Sequence, residues 1–161
     1  MLQNHFVQWL LYLALLSFGS FVVGRMLPYR WFCPERFPYK SYPWEQEGKI
    51  YGRIGLPKWQ NKLPDMSRIF SFLMPRKKMV DCSREGLSTM IRETCIAELI
   101  HLLLIVLALG GLLFWRTPLA VVLTGLYMLG NVPFVLIQRY NRPRLMRLYG
   151  KLCRKTEKSR S

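Results

Sequence analysis

Three apolar runs constrain this chain more than any other feature of its 161 residues. FVQWLLYLALLSFGSFVVG (Phe6–Gly24) carries no charge over 19 residues, and Thr117–Gln138 carries none over 22. Leu99–Trp115 is interrupted only by His101. About 20 apolar residues cross a bilayer core as a helix, which pairs its own backbone groups where no water is available. The sequence therefore predicts an all-α integral membrane protein, a single membrane domain with three transmembrane helices at 6–24, 96–115 and 118–138. The first span lacks a basic leader and a small-x-small cleavage pattern, so it is expected to be retained as an anchor. The second and third are joined by little more than WRTP and should form a tight hairpin.

Charge sets the expected orientation. Of 24 Lys and Arg residues, 14 fall in 25–92 and nine in 139–161; only Arg116 lies between the last two spans, and none precedes the first. The positive-inside rule then places the N-terminus outside and the C-terminus inside, N-out and C-in, with most soluble-facing mass in the cytoplasm of a multi-pass cell-membrane protein.

The cytoplasmic segment 25–92 is basic, aromatic and Pro-rich. Pro28, Pro34, Pro38, Pro43, Pro57 and Pro64 forbid long helices and central strands over its first forty residues. Trp31, Trp44 and Trp59 among Arg and Lys would suit single-stranded nucleic acid in a soluble protein. Beside three spans they fit an interfacial segment on an anionic leaflet, so anionic lipid is the expected partner and nucleic acid is not. Met66, Ile69, Phe70, Leu73 and Met74 share one face of a short predicted helix over 65–74. The basic tail 139–161 is expected to end as a fraying helix. Cys33, Cys82, Cys95 and Cys153 match no zinc or CxxC spacing, so reduced thiols are expected, without metal or cofactor.

The second span opens on a polar cluster. With His101 set at zero and 100° per residue, Thr94 falls at about +20°, Glu98 at about +60° and Glu93 at about −80°. Glu98 and His101 are i, i+3 neighbours, which lets a carboxylate fix the tautomer of the imidazole. Asn131 and Gln138 form a stripe on the third span, followed by Arg139, Asn141 and Arg142. Folding the hairpin about Arg116–Thr117 brings His101 level with 131–134, Glu98 with Gln138 and Glu93 with 139–141. Two readings remain open on spacing alone: a functional pocket, or an ionic clamp that closes the hairpin. An ionisable residue at mid-membrane costs about 2.5–3.5 kcal/mol on insertion scales, which makes the deepest one, His101, a functional candidate.

Three blocks carry a family resemblance: KIYGRIGLPKWQNKLPD (Lys49–Asp65), RETCIAELIH (Arg92–His101) and NVPFVLIQRYNRPRL (Asn131–Leu145). Together they resemble the glycosyl-4,4′-diaponeurosporenoate acyltransferases of staphyloxanthin-type carotenoid pathways. Ile96 stands where the family pattern has Arg. The resemblance implies transfer of a fatty acyl group to a sugar hydroxyl of a glycosylated carotenoid acid or similar glycolipid. It implies two partners, an acyl donor (acyl-coenzyme A or acyl carrier protein) and a lipid-linked sugar acceptor, meeting at the cytoplasmic leaflet. In those terms His101, oriented by Glu98, is the expected general base. Asn131, Gln138 and Arg139 are expected to donate to the oxyanion, with Glu93, Thr94, Asn141 and Arg142 around the substrate. The alternative is a non-catalytic membrane adaptor that binds anionic lipid or partner enzymes. Gly110, Gly111, Gly125 and Gly130 permit close helix packing, and a homo-oligomer or a pathway complex is compatible with so thin a bundle.

Overall fold

The computed structural model of the protein describes residues 2–62 and 83–158. The helix expected over 65–74 lies outside the described residues. Every regular element among the described residues is helical. Three long helices dominate: α1 (Leu2–Met26), α4 (Arg84–Ala108) and α5 (Pro118–Lys158). Each is long and apolar enough to cross a membrane. Among the described residues between α1 and α4, the helical elements are short: 3₁₀ turns at Tyr29–Trp31, Pro43–Gly48 and Gln60–Lys62, and the helices α2 (Lys49–Arg53) and α3 (Leu56–Trp59).

The chain divides into two compact units, and the division falls within both α4 and α5. Unit 1 comprises Met1–Phe32 and Cys95–Gln138; unit 2 comprises Cys33–Thr94 and Arg139–Ser161.

Unit 1 is the apolar bundle. Thr117 caps α5, its hydroxyl accepting from the Ala120 N–H at 3.2 Å, and Pro118 stands in the first turn, where a missing N–H leaves no bond unmade. Its buried cluster gathers Trp9, Leu13, Ala108, Trp115 and Ala120. Polar links pin α1 to its neighbours: the Trp9 indole donates to Thr124 Oγ1 at 3.0 Å, and the Tyr12 hydroxyl donates to the Leu107 carbonyl at 2.7 Å. Ser17 and Tyr127 hydroxyls meet at 2.8 Å. Such pairs suit a lipid-facing bundle, where hydrocarbon contacts give no preference for helix over lipid. Gly110 and Gly111 are what let α1 approach, since a Cβ there would lie 2.5 Å from the Tyr12 hydroxyl and 3.0 Å from the Trp9 ring. Leu15, Phe18, Val106, Leu126 and Leu129 point outward, as residues solvated by lipid would.

Unit 2 is built against the polar half of α5. That helix continues 20 residues past Gln138, through Pro143, to Lys158. At 41 residues it is about 60 Å long, twice the hydrocarbon thickness. The tail is regular helix to Lys158, and the Arg84 guanidinium donates to its Cys153 carbonyl at 3.1 Å. Ser83 caps α4, accepting from the Gly86 N–H at 3.0 Å.

The Pro-rich strap closes on α5 through Gly48. Gln46, Glu47 and Gly48 are consecutive left-handed residues with φ of 50°, 55° and 88°. A Cβ on Gly48 would sit 3.2 Å from the Tyr140 carbonyl oxygen of α5, so only glycine allows both the dihedral and the approach. Gly48→Ala is expected to destabilise the protein by about 1–2 kcal/mol from the left-handed backbone alone, and more from the contact. Thermal unfolding in detergent measures it; an unchanged midpoint would show that the strap relaxes freely.

Candidate active site

Within unit 1 the structure pairs His101 of α4 with Asn131 of α5. The imidazole Nδ1 lies 2.9 Å from Asn131 Oδ1, and the ring stacks on Phe134 with centroids 4.7 Å apart and planes 10° from parallel. The register counted from the Arg116–Thr117 turn placed His101 level with 131–134, and both contacts lie there. Asn131 is oriented in turn, its Nδ2 donating to the Tyr127 carbonyl at 2.9 Å. A backbone carbonyl only accepts, so the amide NH₂ must face Tyr127 and the amide oxygen must face the ring. Nδ1 is therefore the protonated nitrogen of the neutral imidazole, and Nε2 carries the lone pair.

Glu98 lies three residues before His101 on α4 and is 1% exposed. Asn131 is also buried, while Gln138 is half-buried. The described bond to the imidazole comes from Asn131.

The remaining residues of the predicted cluster belong to unit 2. Arg142 is 2% exposed. Its Nε donates to Thr94 Oγ1 at 2.9 Å, Nη2 to the Thr94 carbonyl at 3.1 Å and Nη1 to the Tyr39 carbonyl at 2.6 Å. The Thr94 hydroxyl in turn donates to the Ile91 carbonyl at 2.6 Å. Arg139 donates to both oxygens of Glu45, with Nη2 to Oε2 at 2.9 Å, and to the carbonyls of Pro38 and Lys40, each at 3.2 Å. Its guanidinium also stacks over the Tyr42 ring at 4.8 Å. Both arginines thus strap residues 38–45 to their neighbours within unit 2. Glu93 and Asn141 are half-buried in the same unit.

Glu45 is the residue that sequence reasoning missed. It is 1% exposed and accepts from Arg139, from the Tyr51 hydroxyl and from the Tyr42 N–H, the last at 2.6 Å. Burial by itself raises a carboxyl's pKa, but the hydrogen bonds of Arg139, Tyr51 and Tyr42 and the charge of Arg139 outweigh it, so Glu45 is held below the ordinary range. Tyr51 is pushed up, first by burial and then by Glu45, and remains a donor. A local signal existed: Pro43 followed by Glu45 at the third position of a helical turn is a capping pattern, and the Glu45 N–H indeed bonds the Tyr42 carbonyl at 3.0 Å.

Comparison with known proteins then gives the lineage. The family model of glycosyl-4,4′-diaponeurosporenoate acyltransferases matches residues 34–151. A protein of that name from Staphylococcus aureus (strain Newman) is 31% identical over 139 residues, covering 84% of this chain and 82% of the relative. Its counterpart from strain bovine RF122 / ET3-1 is 30% identical over the same extent. No solved structure matches. The matched span takes in the Glu45 strap, the Thr94–Arg142 link and the His101–Asn131 pair, and the protein belongs to the glycosyl-4,4′-diaponeurosporenoate acyltransferase family.

Proposed function

We propose that this acyltransferase moves a fatty acyl group from a thioester donor to a sugar hydroxyl of a glycosylated carotenoid acid or similar glycolipid, at the cytoplasmic leaflet. Family membership supports the reaction class and the carotenoid acceptor. The sorting of Lys and Arg to 25–92 and 139–161 supports N-out, C-in and a cytoplasmic leaflet site.

The observation that carries the mechanism is the partly buried relay Tyr127 carbonyl to Asn131 to His101 inside an otherwise apolar stretch of helix. His101 Nε2 takes the proton of the sugar hydroxyl as its oxygen attacks the thioester carbonyl. The tetrahedral intermediate collapses, the C–S bond breaks, and the imidazolium returns its proton to the departing thiolate. Gln138, seven residues beyond Asn131 on α5, is the amide assigned to the oxyanion. Glu98, one turn before His101 on α4, is the side chain assigned to support the imidazole.

The test is a lipid comparison by mass spectrometry in cells that make the glycosylated carotenoid acid, with and without this protein. A fatty-acyl mass increment on the glycoside in its presence is expected. Its absence at verified membrane expression would refute the assigned acceptor and send the search to other glycolipids.

A further inference from the structure

We propose that a cleft wholly within unit 2 binds the phosphopantetheine arm of the acyl donor, with Lys151 and Arg154 holding its phosphate. The proposal rests on the acyl-transfer reading above and names the site of its second substrate.

The cleft has a volume of about 860 Å³, within the range of pockets that enclose small ligands. One wall is a single face of α5, on which Pro143, Met146, Arg147, Gly150, Lys151 and Arg154 recur every three to four residues. The facing wall is the strap, with Pro34, Tyr39, Tyr42 and Pro43 presenting apolar and ring surface alongside Lys40. Gly150 leaves the floor open, since nothing lies within 4 Å of the position its Cβ would take.

The charges in this cleft divide into two groups. Arg139 is paired with Glu45, Arg147 with Glu47 at 2.9 Å, and Arg142 is filled by Thr94 and the Tyr39 carbonyl. Lys40, Lys151 and Arg154 have no ion-pair partner among the described residues, against one lining carboxylate in the same condition, Glu35. Adjacent unpaired cations at one end of a slot walled by rings and prolines recognise an anion carried on a slender, weakly polar arm. A glycosylated carotenoid ester offers no such anion. The pantetheine arm of a thioester donor does, ending in a phosphate whether it is carried by coenzyme A or by a carrier protein.

The experiment measures equilibrium binding of coenzyme A and of holo acyl carrier protein to the full-length protein in nanodiscs of neutral phosphatidylcholine. Lys151→Gln and Arg154→Gln are each expected to weaken binding of at least one probe by about ten-fold, the loss of one charge-assisted contact. Gly150→Leu, which fills the floor without altering charge, is expected to weaken it too. Lys155→Gln lies outside the cleft lining and should leave binding unchanged, which separates a built site from diffuse attraction. Equal weakening by Lys155→Gln, unaltered binding in the cleft variants, or no binding of either probe by the native chain would overturn the site. So would a loss confined to adsorption on phosphatidylglycerol nanodiscs, which would assign these cations to lipid headgroups. Since binding is read without turnover, a failed lipid comparison with intact cleft-dependent binding would overturn the acceptor reading alone. A successful comparison with unaltered binding would overturn the cleft alone.

Discussion

His101→Ala is expected to reduce acyl transfer by about 10²–10⁴-fold, the usual contribution of a positioned proton acceptor, while the protein accumulates in the membrane at native level. The stability cost should be small, because the imidazole is only partly buried and its main contacts are one hydrogen bond and one ring stack. Asn131→Leu gives a finer test. It removes the oxygen that holds Nδ1–H while keeping similar volume, so His101 loses its tautomer and ring orientation but keeps its chemistry. Transfer should fall by less than in His101→Ala. The double variant should be little worse than His101→Ala, because the two residues act as one unit. The measurement is the initial rate of ester formation in membrane fractions at matched protein levels. Full activity in His101→Ala would eliminate the base assignment. Full activity in Asn131→Leu would eliminate only the orienting role.

The long apolar elements were legible from the sequence because a bilayer imposes both length and composition on what crosses it. The uncharged run Phe6–Gly24 lies inside α1, the run Thr117–Gln138 comprises the cap and first half of α5, and the His101-bearing run lies in α4 and the turn beyond it. The helix ends were less legible. Hydropathy marks only the lipid-length part, so it stops at Gln138, whereas α5 continues through a basic stretch whose Arg and Lys are good helix formers. Pro143 reads as a breaker, yet the helix runs through it. The His101–Asn131 pairing was recoverable by counting residues from the hairpin turn, since two antiparallel helices keep nearly the same rise per residue. The strap was not recoverable. Arg139 and Glu45 are 94 residues apart, and Arg142 reaches the backbone carbonyl of Tyr39, an acceptor every residue offers. No periodicity links an irregular Pro-rich segment to a helix face.

Glu45→Ala should be the most destabilising single substitution outside the spans, by about 3–5 kcal/mol, because it removes the carboxylate of a largely buried ion pair and not merely a hydrogen bond. Arg139 is 10% exposed and Glu45 1%, so water cannot readily replace the lost carboxylate, and the Tyr51 hydroxyl loses its acceptor as well. Glu45→Gln retains one acceptor and the shape, and should fall between the native protein and Glu45→Ala. Combining Glu45→Ala with Arg139→Met removes both charges. It should recover part of the loss, since much of the penalty lies in a charge that has lost its carboxylate. The pH dependence has a definite sign. Glu45 titrates below its ordinary value of about 4.5 when folded, so the unfolded chain binds the extra proton. Its contribution is therefore complete above about pH 4.5 and is lost as pH falls through the lowered folded pKa. Thermal midpoints in detergent between neutrality and pH 3 should drop more steeply for the native chain than for Glu45→Gln, whose amide does not titrate in that range. Parallel curves would mean that the acid sensitivity lies elsewhere, and that Arg139 holds the strap through the carbonyls of Pro38 and Lys40 instead.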